Sequence, residues 1–225
     1  MNIPTEIKTD KKFNFPLKVL YEDEYMALIH KPAGILVSGN SFRTIANALP
    51  QCIQKSNLPD ATTFQPIHRL DYGTTGILLV GKTSSSIRSL NKKFEDKEII
   101  KTYYAVAIGR MNLQGRITKK IELKESRTDY RVSESVLSEK YGILNLVKLN
   151  PQTGRRHQIR KHLSSIGNPI LGDQDYGLEG LILKGKGMYL HAYSLAFIHP
   201  FRDERLYFTD PFPEKFIRIF TKLKD

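Results

Sequence analysis

HRLDYGTTGILLVGKT, residues 68–83, runs from a charged loop straight into an apolar segment. Ile77 to Val80 form a continuous hydrophobic run, the pattern of a strand buried on both faces. The preceding YGTTG is turn chemistry. TSSSIRSLNKKFEDK follows, with hydroxyls suited to N-capping and Ile87, Leu90 and Phe94 on one helical face. IIKTYYAVAIG then reads as a strand. On the other side, LKVLYEDEYMALIHKPAG predicts two short strands around an acidic turn at Glu22, Asp23 and Glu24. SFRTIANALPQCI has helical spacing that Pro50 ends, and the proline-bearing residues 54–66 read as loop. Further strands are expected at 117–123, 128–137 and 143–149. RRHQIRKHLSSIG predicts a helix stopped by Gly167 and Pro169, with Ile159, Leu163 and Ile166 as its anchoring side. MYLHAYSLAFIHP and ERLYFTD are strand-like, and EKFIRIFTKLKD closes as a helix.

Strands outnumber helices and do not alternate regularly with them. That order argues for an α+β fold with a mixed, largely antiparallel β-sheet flanked by helices. The polar residues 1–15 read as a loose lead-in to a single domain over 16–225, without a linker or internal repeat.

Composition excludes several classes. With 40% hydrophobic and 26% charged residues, the 225-residue chain is globular rather than disordered. The single Cys52 excludes a disulfide framework and a multi-cysteine zinc site. No apolar run reaches the roughly 18 residues of a membrane span, and MNIPTEIKTDKKFNF has no signal-peptide core. A cytoplasmic protein is expected. Lys and Arg number 35 against 23 acids, a net charge of +12. That balance favours a polyanionic partner, nucleic acid above all. A basic surface that serves only solubility is the plain alternative.

Three segments concentrate chemistry-bearing side chains. His68-Arg69-Leu70-Asp71 sets a carboxylate beside a guanidinium in a loop before a buried strand, where sites tend to lie. A surface ion pair would look the same. In Lys101-Thr102-Tyr103, strand alternation puts Tyr103 beside Lys101, Ala105 and Ala107, with room for a base to stack. Tyr104 faces the more apolar side and is the better core residue. In GRRHQIRKH, residues 154–162, four cations and two histidines occur without an acid. On a helix, Arg156 and Arg160 are four apart, as are His157 and Lys161, and like charges at that spacing repel. Phosphates or a buried carboxylate would compensate them. Other chemistries lack their motifs: no HExxH, no GxGxxG or Walker sequence, and no GxSxG occurs. No metal is expected.

Together these segments resemble the RluA-type pseudouridine synthase family. HRLDYGTTGILLVGK is similar to its catalytic loop, KTYYAVAIG to its tyrosine-bearing strand, and PQTGRRHQIRKHLSSIGNPILGDQDYG to its arginine motif and the following turn. HKPAGILV and YLHAYSLAFIHPF also match, so the likeness spans about residues 17–213 in order. The resemblance implies the pseudouridine synthase fold and isomerisation of uridine to pseudouridine in folded RNA, without cofactor or metal. By matched position, Asp71 would be the catalytic aspartate, either attacking the sugar C1′ or assisting its deprotonation. Tyr103 would stack on the target base and assist removal of the C5 proton. Arg160 would pair with Asp71 and keep it ionised. Arg69 would enter the RNA stack as the uridine flips out. Arg155 and Arg156 would contact phosphates.

Two positions depart from the family's usual pattern: Thr75 stands where Ser is common, and Arg156 where Thr is common. No separate N-terminal RNA-binding domain is expected, and no obligate protein partner. GRRHQIRKHL and LHAYSLAFIHPF look most like the branch that modifies tRNA at uridine 65. An rRNA hairpin or a tRNA anticodon-stem target is the alternative, and a catalytically silent RNA-binding module is the competing class.

Overall fold

Asp23 organises the first turn of the chain. Its Oδ1 accepts the N–H groups of Tyr25 and Met26, at 2.8 and 2.9 Å, and its Oδ2 receives the Tyr21 hydroxyl. The acidic turn therefore joins two antiparallel strands, β1 (Lys18–Glu22) and β2 (Met26–Lys31). This computed structural model describes residues 13–181 and 187–224. Most of the lead-in expected over 1–15 lies outside the described residues. Phe13 and Phe15, within them, stack on each other and pack against the core.

Short helix α1 (Ile45–Ala48) is capped by Thr44, whose hydroxyl accepts the Asn47 N–H. Strand β3 (Ala61–Pro66) occupies part of the segment expected as loop. It is short and bulged, and it pairs with one strand only. Pro66, which has no N–H to give, is tolerated at such a position. Strand β4 (Thr75–Thr83) is buried along its whole length, as its apolar run predicts. Helix α2 (Ser84–Glu95) begins at a capping box, in which Thr83 and Ser86 satisfy each other's backbone N–H groups. Leu90 is buried, and Ile87 and Phe94 pack beside it.

Six strands and two helices follow: β5 (Ile100–Ile108), β6 (Gln114–Ile117), β7 (Thr128–Ser138), β8 (Gly142–Pro151), α3 (Gln158–Ser165), β9 (Leu190–Ile198), β10 (Arg205–Thr209) and α4 (Glu214–Ile217). Two expectations are corrected here. The strand expected at 117–123 is β6, which ends at Ile117; Glu122 and Leu123 have φ of 51° and 62°, a turn no strand can contain. The helix expected from Arg155 starts only at Gln158, because His157 is left-handed, with φ 55°. Ile159 and Leu163 anchor it in the core as expected, but Ile166 follows its last turn and is exposed.

All ten strands join one sheet, in the order β1-β2-β4-β9-β5-β8-β7-β6. The remaining strands, β3 and β10, pair with β4 and β9. The pairing of β4 with β9 is parallel and every other pairing is antiparallel, so the α+β class holds. That parallel seam is only two residue pairs long: Thr75 with His191, and Gly76 with Ala192. Beyond it the strands part, β4 towards β3 and β9 towards β10. Two half-sheets thus meet at a short junction just behind residues 68–74.

Side chains and backbone pin the seam together. The buried His191 places Nδ1 2.9 Å from the Thr75 hydroxyl and Nε2 3.2 Å from the Asp210 carbonyl oxygen. Gly76 has φ 118°, and a Cβ there would meet the Ala192 oxygen at 2.2 Å. Gly76→Ala should cost roughly 2–6 kcal/mol, from overpacking together with backbone strain. Denaturant unfolding of the purified variant measures this; a midpoint unchanged from the wild type would show that the seam tolerates a side chain.

Candidate active site

The loop before β4 is held by its own backbone and by a buried lysine. A turn closes where the Thr74 N–H donates to the Asp71 oxygen at 3.0 Å. Lys31, at the end of β2, is fully buried. Its Nζ donates to the oxygens of Pro32 and Thr74 at 2.9 and 2.8 Å, and lies 3.4 Å from that of Tyr72. The Gly34 N–H adds a bond to the Tyr72 oxygen at 2.8 Å. The HKPAG segment therefore cradles the carbonyls of the loop that carries Asp71. Burial lowers the Lys31 pKa from 10.5 to about 8, against the pull of the Asp71 charge.

His68, the first residue of the loop, is structural. Its Nε2 accepts the Leu79 N–H at 3.1 Å, and its ring stacks on Phe94 at 5.0 Å. Burial, with Lys101 nearby, pushes its pKa down to about 3, so it stays a neutral acceptor.

Asp71 opens into a cleft of about 400 Å³, whose walls include Arg69, Tyr103, Arg155, His157 and Arg160. Tyr103 lies beside the register shift between β5 and β9, where a bulge re-aims side chains. Its ring touches the core on both sides of the seam, while Tyr104 packs edge-on against Tyr193 and Phe212. Both tyrosines are half-buried, so Tyr104 is not the deeper of the two. Burial and the nearby Asp71 charge raise the Tyr103 pKa, which keeps the phenol protonated.

Arg160 is the best-held side chain of the cleft. Its Nε and Nη2 donate to both oxygens of Asp173, at 2.8 and 2.7 Å, and Nη2 also reaches Asp175. The Asp173 side chain is wholly buried and also accepts the backbone N–H groups of Asp175 and Tyr176. Arg160 stacks over the Tyr176 ring at 4.9 Å. Burial opposes its charge, and the hydrogen bonds to Asp173 and Asp175 outweigh that, raising its pKa. Only Nη1 remains for Asp71, 3.6 Å from Oδ2. The expected Arg160–Asp71 pair thus exists, but as the looser arm of a cation anchored elsewhere.

The other cations are arranged differently from the helical expectation. Arg155 lines the cleft from the turn before α3, with Nε donating to the Glu125 oxygen at 3.2 Å. Arg156 is exposed and is not among the cleft residues. Because α3 starts at Gln158, Arg156 and Arg160 do not share a helical face. Lys161 is paired with Glu122 at 3.0 Å. Sequence reasoning missed Lys31, Asp173, Asp175 and Tyr176 as site residues. The one available signal was the need for a buried carboxylate near the arginines, followed by two acids in LGDQDYG. Among the described residues no cluster of His, Cys, Asp and Glu is placed to hold a metal, and no helix is long and apolar enough to cross a membrane.

A half-split sheet with an aspartate beside a fixed arginine in a basic cleft is a site suited to an anionic substrate. Comparisons with known proteins name the family. The sequence pattern of the RNA pseudouridylate synthase family matches residues 25–165. Ribosomal large subunit pseudouridine synthase C of Pasteurella multocida is 34% identical over 99% of this chain and 72% of its own. Ribosomal large subunit pseudouridine synthase D of Yersinia pestis is 31% identical over 99% of this chain and 76% of its own. An uncharacterized RNA pseudouridine synthase of Aquifex aeolicus is 33% identical over 99% and 77%. The solved structure of human RNA pseudouridylate synthase domain containing 1 superposes with a TM-score of 0.72 at 25% identity, covering 88% of this chain and 85% of that one. The chain belongs to the RNA pseudouridylate synthase family, in its RluA-type branch, and is an RNA-modifying isomerase.

The buried lysine under the loop has a readable consequence. Between about pH 8 and 10.5 the unfolded chain holds a proton that folded Lys31 has released, so stability rises with pH in that window. Below pH 8 both states are protonated and the fold carries the full cost of burying the charge. Lys215, also lowered to about 8 by burial, contributes a similar rise. Lys101, lowered by burial as well, adds to the rise, so Lys31→Met should flatten it only in part, by the share of one proton among three. Urea midpoints at several pH values across the window measure it; an unchanged slope would refute the buried-lysine account.

Proposed function

We propose that this synthase isomerises a uridine of structured ribosomal RNA, with Asp71 as the catalytic aspartate and residues 16–225 as the catalytic unit. The observation that carries the reading is the convergence of Asp71, Tyr103 and Arg160 in one cleft, from three separate segments. In the reaction the N1–C1′ glycosidic bond breaks, the uracil turns, a C5–C1′ bond forms, the C5 proton leaves to solvent and N1 takes up a proton. Asp71 acts on the ribose, either by attack at C1′ or by assisting deprotonation of the sugar as the glycosidic bond breaks. A charged, oriented carboxylate suits both routes. Tyr103 stacks on the target base, a contact worth about 1–3 kcal/mol for bases on aromatic rings. A phenol held neutral suits stacking better than proton removal. Arg69, exposed on the cleft rim, fills the gap left by the flipped uridine, which offsets part of the few kcal/mol that flipping costs. Arg155 and Arg156 contact phosphates, which makes binding salt-sensitive.

Ribosomal RNA is preferred because the relatives quoted by function are ribosomal large subunit synthases C and D. The likeness of GRRHQIRKHL and LHAYSLAFIHPF to the tRNA uridine-65 branch keeps tRNA as the second reading. The protein works in the compartment where these RNAs are modified, which for a bacterial-type enzyme is the cytoplasm.

Tritium release from [5-³H]uridine-labelled RNA tests both levels. The wild type should release tritium from ribosomal RNA fragments, and Asp71→Ala should release none while its RNA affinity stays within a few-fold. Release from tRNA alone would move the substrate to the second reading. Full activity in Asp71→Ala would remove Asp71 from the chemistry.

A further inference from the structure

His157 is the one residue of the cleft whose backbone is left-handed, with φ 55° and ψ 28°. It stands at the N-cap of α3, yet its side chain caps nothing. Left-handed geometry is uncommon for residues other than glycine, and such outliers gather where a side chain must be aimed. Here the aim is clear. Nε2 lies 3.8 Å from Asp71 Oδ1, and Nδ1 lies 3.1 Å from the Tyr176 hydroxyl. Arg160 approaches the other Asp71 oxygen, Oδ2.

We propose that His157 is a second positioning residue for Asp71, a neutral imidazole whose Nε2–H steers Oδ1 while Nδ1 accepts the Tyr176 hydroxyl. This rests on the reading of Asp71 as the catalytic aspartate. The carboxylate is then gripped at both oxygens, by a cation at Oδ2 and a neutral donor at Oδ1. A second full cation would over-stabilise the charge that must act at C1′; a neutral donor fixes direction without that cost. Of the two neutral tautomers, this one satisfies both partners, since Asp71 can only accept and the tyrosine can donate. Burial holds His157 below its usual pKa, and Arg160 and Arg156 add to this against the pull of Asp71 and Asp175. A contact this long tightens when substrate closes the site. Tyr176 serves two masters, since its ring also carries Arg160 and its hydroxyl fixes the histidine.

The test sets two substitutions against each other. Asn tolerates left-handed backbone but its amide sits where Nδ1 was, so His157→Asn loses the group facing Asp71. Gln suits that backbone less well, but its amide reaches the Nε2 position. The proposal expects single-turnover tritium release by His157→Asn to fall on the order of 10- to 100-fold, with RNA affinity within a few-fold and His157→Gln clearly faster. A backbone-only role expects the reverse order, and Asn equal to or faster than Gln would overturn the proposal. Asp71→Ala in the same assay separates the readings: if it stays active, the assignment of Asp71 fails. Independently of activity, ¹⁵N shifts of the imidazoles of the RNA-free protein at pH 7 should show His157 neutral and protonated on Nε2, and Tyr176→Phe should erode that preference. A ring protonated on Nδ1 in the wild type would overturn the proposal whatever the enzyme's substrate.

Discussion

The two parallel hydrogen bonds between Arg160 and Asp173 hold the site together. Arg160 sits on α3 and Asp173 on the loop after it, and both side chains are buried. A buried pair of this kind gives little net stability by itself, but removing one partner costs about 3–5 kcal/mol, because the other charge is left stranded. Here Asp173 is saturated, with the guanidinium and two backbone N–H groups filling its oxygens. The guanidinium therefore has a fixed plane. Its free Nη1 faces Asp71 and is held there by Asp173 rather than by Asp71.

The same separation of holding from acting recurs in the backbone. The loop bearing Asp71 is fixed by groups that never face the cleft chemistry: Lys31 beneath its carbonyls, His68 on the Leu79 N–H, and the Gly34 bond to Tyr72. Behind it, the two-pair seam between β4 and β9 joins the half-sheets that carry the opposing walls. Asp71 precedes β4, Tyr103 lies on β5 beside the bulge, and Arg160 comes from α3 packed across β7 and β8. Rigid elements thus bring three side chains from separate segments to one cleft.

Much of this was legible from residue pattern. The apolar run Ile77–Val80 marks β4, the hydroxyls at 83–86 mark the start of α2, and the alternation around Tyr103 marks β5. Motif order alone brings Asp71, Tyr103 and Arg160 together, and the three line one cleft. The misses share a physical cause: periodicity reports which face is buried and is silent about single backbone torsions and long-range polar partners. Nothing in RRHQIR betrays that His157 is left-handed, so the pattern predicts a helix three residues too early, with Arg156 on a face with Arg160. β3 was hidden by Pro66 and by pairing with only one neighbour. Asp173 lies in a segment with neither helical nor strand period, and only a charge argument pointed towards it.

The central claim is that Asp173 acts on Asp71 through Arg160. Single-turnover pseudouridine formation by Asp173→Asn, Arg160→Met and the double variant tests it most directly, with RNA affinity measured alongside. Asn keeps the shape of Asp173 but loses the charge and one of the paired acceptors. The account predicts that each single change slows the chemical step on the order of 10-fold or more, that affinity stays within a few-fold, and that the double variant is no slower than Arg160→Met alone. Full activity in Asp173→Asn, or fully multiplicative losses in the double variant, would contradict it.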